Sequence, residues 1–147
     1  MNIVVAADHA GFALKEFIKS ELESKGHTIV DKGAYALEPS DDYPMYIKAA
    51  AIEVQKNLES LGVVFGGSGQ GEAIVANRIS GVRAAVYYGG PKDIITLSRE
   101  HNNANILSIG ARFLSQEEAL EAVSLWIQTP FSGDEWHARR VAQIDTT

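Results

Sequence analysis

The sequence predicts an α/β fold built on a parallel sheet, and three observations carry that prediction. Five short apolar runs recur along the chain without polar alternation, the pattern of strands buried on both faces. Stretches with apolar residues at helical spacing separate them, so strand and helix take turns from one end to the other. No repeat, linker or low-complexity segment interrupts the series, and 147 residues fit one ordinary domain, residues 1–147.

"NIVVAA" (2–7) is the first strand. It leads into "HAGFALKEFIKSELESKG", where Leu14, Phe17, Ile18 and Leu22 repeat at helical spacing and Gly26 supplies a stop. "HTIVDKG" (27–33) reads as the second strand. The polar loop "ALEPSDDYP" precedes a helix with Ile47, Ala51, Val54 and Leu58 on one stripe. "LGVVFGG" is the third strand, "GEAIVANRI" a helix and "VRAAVYY" (82–88) the fourth strand. "PKDIITLSREH" (91–101) is a helix opening on proline, and "ANILSIG" (104–110) is the fifth strand. Ser115 and Glu118 form a capping box ahead of Leu120, Val123 and Ile127, and "GDEWHARRVAQID" is a short last helix. The expected architecture is a three-layer αβα sandwich: a Rossmann-like, five-stranded parallel sheet with helices on both faces and a C-terminal helical tail.

Composition narrows the function. The mix of 46% hydrophobic and 22% charged residues is that of a soluble globular protein. No stretch reaches the ~20 apolar residues of a membrane span, and Met1 leads directly into a strand with no signal peptide, which points to the cytoplasm. The absence of cysteine excludes disulfides, thiolate metal sites and a cysteine nucleophile. A net charge of −6 argues against a nucleic-acid groove. It leaves room for an anionic small molecule, because Arg83, Arg112, Arg139 and Arg140 recur near the loops.

In such sheets ligands sit beyond the carboxyl ends of the strands, so the turns "DHAG", "GGSGQGE" and "REHNNAN" hold the candidates. Asp8 can cap a helix and His9 can be a solvated loop residue, yet the pair is also placed to touch a polar ligand. Gly66, Gly67, Gly69 and Gly71 leave amide N–H groups exposed at a helix start, an anion nest. The spacing fits neither the dinucleotide fingerprint nor a P-loop, and Glu72 would repel a phosphate. Two readings of Glu72 stand side by side. It is either a first-turn acid favourable to the helix dipole, or a carboxylate kept ionised by the helix end. In the second case it would abstract a carbon-bound proton while the amides and the Ser68 hydroxyl hold the enolate oxygen. His101, Asn102 and Asn103 read as a helix end, and Arg139 and Arg140 as a solvated face, when taken singly. No compact cluster of His and acid ligands is visible, so no metal is expected.

The stretches "ADHAGFALK", "DYP", "GGSGQGEAIVANRISGVRAA", "REHNNANILSIGAR" and "HARRV" occur in the order and spacing of the type B ribose-5-phosphate isomerases. The resemblance runs from residue 3 to about residue 144 and extends to the galactose-6-phosphate isomerase subunits of the larger family. It implies an aldose–ketose isomerase working through a cis-enediolate without metal or nucleotide. One branch of the family places a cysteine at the first loop position, which here is Gly66. The other has glycine there and a glutamate six residues on, so Glu72 resembles its base. Ser68 and the amides of Gly67, Gly69 and Gly71 resemble the enediolate hole. His101 resembles the residue that opens the furanose ring, and Asn102 a ligand of the sugar oxygens. Asp8 and Tyr43 resemble sugar-hydroxyl contacts; His9, Arg112 and Arg140 resemble the phosphate grip. The family's dimers, some paired into tetramers, share each site between subunits, which implies that His101, Asn102 and Arg112 come from the partner.

Two departures bear on substrate. The family tail reads Arg-His-x-Arg-Arg, with a phosphate-binding arginine where this chain has Trp136, and "SDDYPMYI" departs from the more usual "DYPDY". The reaction expected is interconversion of ribose 5-phosphate and ribulose 5-phosphate. The alternatives are isomerisation of a six-carbon sugar phosphate, allose or galactose 6-phosphate, and a sugar-phosphate-binding module without catalysis.

Overall fold

The computed structural model describes all of residues 1–147. Its elements are β1 (Asn2–Ala7), α1 (Phe12–Ser24), β2 (Thr28–Asp31), α2 (Tyr43–Lys56), β3 (Leu61–Gly66) and α3 (Gln70–Ala76). They are followed by β4 (Ala84–Tyr87), α4 (Asp93–Glu100), β5 (Ile106–Gly110), α5 (Gln116–Gln128) and α6 (Glu135–Asp145). All five strands join one parallel sheet in the order β2-β1-β3-β5-β4, with Val5 opposite Val63 and Val63 opposite Leu107 at its centre.

Because side chains alternate across a strand, each strand feeds two cores. Ile3, Val5, Val63, Phe65, Leu107 and Ile109 point to one face, where Ile18 and Leu22 of α1, Ile95 of α4 and Trp126 of α5 cover them. Val4, Ala6, Val64 and Ile106 point to the other, under Ile47, Ala51 and Val54 of α2 and Ala76 of α3. The sandwich expected from the sequence is the one observed, and the capping box at Ser115 and Glu118 is formed in both directions.

Two helices end earlier than their apolar pattern suggests. Asn57 leaves the helical region (φ −127°, ψ 90°), so Leu58 falls outside α2 and is 88% exposed instead of joining the stripe. The α3 helix stops at Ala76 because the Asn77 side chain pairs with the Ala84 backbone, accepting from its N–H at 2.7 Å and donating to its carbonyl at 3.0 Å.

Lys15 is a core residue despite its charge. It lies on the buried face of α1, fully inaccessible, with Nζ 2.7 Å from Asp31 and 2.9 Å from Glu16. Partial burial pushes the Asp31 carboxyl up, but the bonds from Lys15, the Gly33 amide and Lys19 outweigh it and hold the group below its ordinary value.

After β1 the chain moves outward to β2, then returns across β1 to β3. The carboxyl ends of β1 and β3 therefore flank the crevice where strand order reverses, the expected ligand position in an open α/β sheet.

Candidate active site

Asp8 and His9 leave β1 at that crevice. The Asp8 carboxylate accepts the amides of Ala10 (3.0 Å) and Gly11 (3.3 Å), closing the turn into α1. His9 is not a free loop residue. Its backbone N–H (2.9 Å) and ring Nδ1 (2.8 Å) both meet one oxygen of Asp41, a residue outside the candidate set from the sequence. The Asp41 side chain is 4% exposed, and its other oxygen is buried without a partner. The bond to Asp41 raises the pKa of His9, with Asp8 adding to the rise against desolvation and Arg112. With Nδ1 turned to Asp41, Nε2 remains for the cleft.

The loop after β3 is shaped around Glu72. That residue, in the first turn of α3, is 4% exposed, and its carboxylate lies where a Cβ on Gly66 would stand. Gly69 turns the chain in the left-handed region (φ 77°), and its carbonyl takes the Ser108 hydroxyl of β5 at 2.7 Å. The amides of Gly67, Gly69 and Gly71 donate to no other group of the protein. Ser68 Oγ accepts the Gln70 amide at 3.3 Å. Burial pushes the Glu72 carboxyl above its ordinary value; a bond from its own backbone N–H opposes this, and the nearby charge of Asp8 adds to it. Burial and the helix end therefore act on the Glu72 carboxyl in opposite directions. A carboxyl raised in this way is better matched to taking and returning a proton near neutrality.

Asp8, His9, Tyr43, Gly67, Ser68, Gly71, Glu72 and Arg112 line one cleft of about 490 Å³, whereas Gly69 is buried against β5 and does not line it. The Tyr43 hydroxyl sits against Gly71, and the Arg112 guanidinium covers Gly67, where a Cβ would stand 3.2 Å from Nη1. The placement of Arg112 corrects its assignment to a partner subunit. It lies in the same cleft as Glu72 of its own chain because β5 neighbours β3, and the Arg112 N–H donates to the Gly67 carbonyl at 3.1 Å.

His101, Asn102 and Arg140 line a different cleft of about 470 Å³, which shares no residue with the first. His101 caps the end of α4 and is exposed, and its ring stacks on His137 of α6 (centroids 4.1 Å apart, 29° between planes). The following turn is braced by arginines. Arg99 donates to the Asn103 side chain at 3.1 Å and Arg83 to the Asn103 carbonyl at 3.1 Å, holding Asn103 at φ 45°.

No cluster of potential metal ligands is visible along the sequence, yet the fold gathers one: ligand atoms of Asp8, His9 and Asp41 lie within 4.8 Å of one another. The hydrogen bond from His9 Nδ1 to Asp41 accounts for two of the three without a cation.

The sequence profile of the Ribose/Galactose Isomerase family matches residues 3–144. The chain belongs to that family. The ribose-5-phosphate isomerase B of Mycolicibacterium paratuberculosis is 42% identical over 141 residues, covering 96% of this chain and 87% of that protein. The Escherichia coli ribose-5-phosphate isomerase B is 34% identical, covering 97% and 93%. Among solved structures, the ribose-5-phosphate isomerase B of Mycoplasma genitalium with bound ribulose 5-phosphate superposes with a TM-score of 0.93 at 34% identity, over 99% of this chain and 94% of that one. The Thermotoga maritima isomerase superposes with a TM-score of 0.91 at 40% identity, over 99% and 98%.

As a member of the ribose/galactose isomerase family the chain carries supports that its motifs do not advertise. Asp41 and Ser108 each hold a site element from a distant part of the sequence. The one available signal was the acidic pair preceding "YP"; Ser108 sits in an apolar run and gives none.

Proposed function

We propose that the chain, acting as one sugar-phosphate isomerase domain over residues 1–147, interconverts ribose 5-phosphate and ribulose 5-phosphate with Glu72 as base. The observation that carries this reading is the buried Glu72 carboxylate, set in the hollow left by Gly66 and beside backbone amides that have no other acceptor. Glu72 takes the proton from C2 of the open-chain aldose. The electron pair forms the C1=C2 double bond of a cis-enediolate, and negative charge gathers on oxygen. The amides of Gly67, Gly69 and Gly71 and the Ser68 hydroxyl donate to that oxygen. The hydroxyl proton on O2 passes to O1, Glu72 returns its proton to C1, and the carbonyl forms at C2. No step calls for a metal or a nucleotide.

His101 opens the furanose ring and Asn102 holds sugar oxygens, while Asp8 and Tyr43 contact hydroxyl groups. His9, Arg112 and Arg140 bind the phosphate through charge-assisted hydrogen bonds. Since His101, Asn102 and Arg140 line a separate cleft, a complete site takes those three from a second copy in a symmetric dimer, whether or not dimers pair further. No helix is long and apolar enough to cross a membrane. Sugar phosphates are held inside the cell, which fits a cytoplasmic site of action. The deciding experiment is incubation of the pure protein with ribose 5-phosphate and with allose 6-phosphate, following ketose formation. Trp136, half exposed beside His137, stands where the family carries a phosphate-binding arginine, so the preferred sugar length is the point to test; preferential turnover of allose 6-phosphate would establish a six-carbon substrate as the second reading.

A further inference from the structure

One motif residue has no part in the chemistry above. His137 lies between Trp136 and Arg140 on α6, yet it is 7% exposed whereas its neighbours on either side are exposed. Its ring faces the His101 ring at 4.1 Å and nearly parallel, and the edge of Trp136 packs against it at 5.7 Å and 69°. An exposed histidine at a helix end would ordinarily turn between rotamers, and each turn would sweep its Nε2 through the space a substrate oxygen must occupy.

Ser132 ties His137 to the segment that carries His101. Its Nδ1 is 2.8 Å from Ser132 Oγ. That oxygen also accepts the Asp134 amide at 3.2 Å, which fixes its position. The Ser132 amide in turn donates to the carbonyl of Glu100 at 3.2 Å, the residue just before His101. Glu100, Ser132, His137 and His101 thus close a circuit, in which the base of His101 and the face of its ring are held by the same segment.

We propose that His137 is a positioning residue for His101: by stacking, it holds the His101 imidazole in the one plane from which it can act on the ring of the cyclic sugar. The proposal rests on the isomerase reading. It requires planarity at position 137 and no proton transfer by His137 itself. Misplacing a catalytic group by about 1 Å can cost on the order of 10²-fold in rate.

The test compares His137→Ala and His137→Phe with the parent, using ribose 5-phosphate, which is mostly cyclic, and ribulose 5-phosphate, which forms no such ring. His137→Ala is expected to lower turnover of ribose 5-phosphate roughly 10- to 100-fold with little change in KM, and that of ribulose 5-phosphate much less. His137→Phe, which keeps a flat ring, restores most of the loss. The His101 Hε1 proton resonance, displaced upfield by the stacked ring, moves downfield in His137→Ala and stays near the parental position in His137→Phe. Equal losses on both substrates, parental activity of a folded His137→Ala, or a Phe variant as impaired as the Ala variant would each overturn the proposal. An inactive parent would defeat the isomerase reading instead, and the His101 resonance would still decide whether His137 orients that ring.

Discussion

The carboxylate of Glu72 fills the volume that a side chain at position 66 would need. The glycine that ends β3 and the acid that begins α3 therefore form one device, and the lack of a Cβ at position 66 is a requirement of the site. Gly66→Ala is expected to expel the carboxylate from its hollow and cut turnover by about 100-fold or more, as loss of a general base does. Thermal unfolding of the variant checks that the strand end tolerates the methyl group. Near-parental turnover would show that Glu72 acts from some other position.

Glu72→Gln keeps the shape of the side chain and removes the basic charge. Turnover should fall by at least about a hundredfold with little change in affinity. Exchange of solvent deuterium into the C1/C2 position of the substrate should fall in parallel. If the variant exchanges and isomerises near the parental rate, Glu72 is only a first-turn acid of α3.

Asp41 sets a pH limit at the phosphate end. Its bond raises the pKa of His9, so the imidazolium is fully present below the ordinary histidine value and is lost as pH rises through the raised one. The groups facing His9 are Asp8 on its own loop, Asp41 before α2, and Arg112 after β5. Asp41→Asn removes the largest cause of the rise, so the alkaline increase in KM should begin at lower pH than in the parent. Titration of the His9 ring by NMR should move the same way; an unmoved profile would detach His9 from phosphate binding. Activity is expected to survive exhaustive chelation, whereas loss with chelator and recovery with a divalent ion would put a cation on Asp8, His9 and Asp41.

Two inactive variants should rescue one another if a site draws on both copies. Mixed by unfolding and refolding, Glu72→Gln and His101→Ala chains form hybrid dimers in which one site carries both changes and the other neither. Recovery of up to about a quarter of parental activity is expected from equal mixing in a symmetric dimer. No recovery, with dimers demonstrably mixed, would mean that each chain works alone.

Lys15 makes a stability prediction independent of catalysis. Removing one member of a buried ion pair strands its partner, at a cost of roughly 3–5 kcal/mol. Lys15→Met should fall near the lower end, because Lys19 also reaches Asp31, at 2.9 Å. Asp31 and Glu16 are both held below their ordinary values, so their contribution is complete above the ordinary carboxylate range and is lost as pH falls through the depressed values. Chemical denaturation of parent and Lys15→Met between neutral and acid pH should converge. A constant gap between them would assign the effect to packing alone.

The alternation of five apolar strands with helices was legible from the sequence alone, because strand and helix periods are written within a few neighbouring residues. The same holds for the glycine loop with its acid, the Ser115 capping box, and the motif stretches that mark the family. Other features are decided only where strand order brings distant segments together. His9 and Asp41 are 32 residues apart, and Ser108 reaches Gly69 across 39. Lys15, polar in any local pattern, becomes core because Asp31 at the end of β2 stands opposite it. The fold also placed Arg112 with Glu72 and left His101, Asn102 and Arg140 in a cleft of their own. A linear pattern records which residue types are present. Whether a carboxylate is buried or solvated, and therefore how readily it holds a proton, depends on what packs against it from elsewhere in the chain.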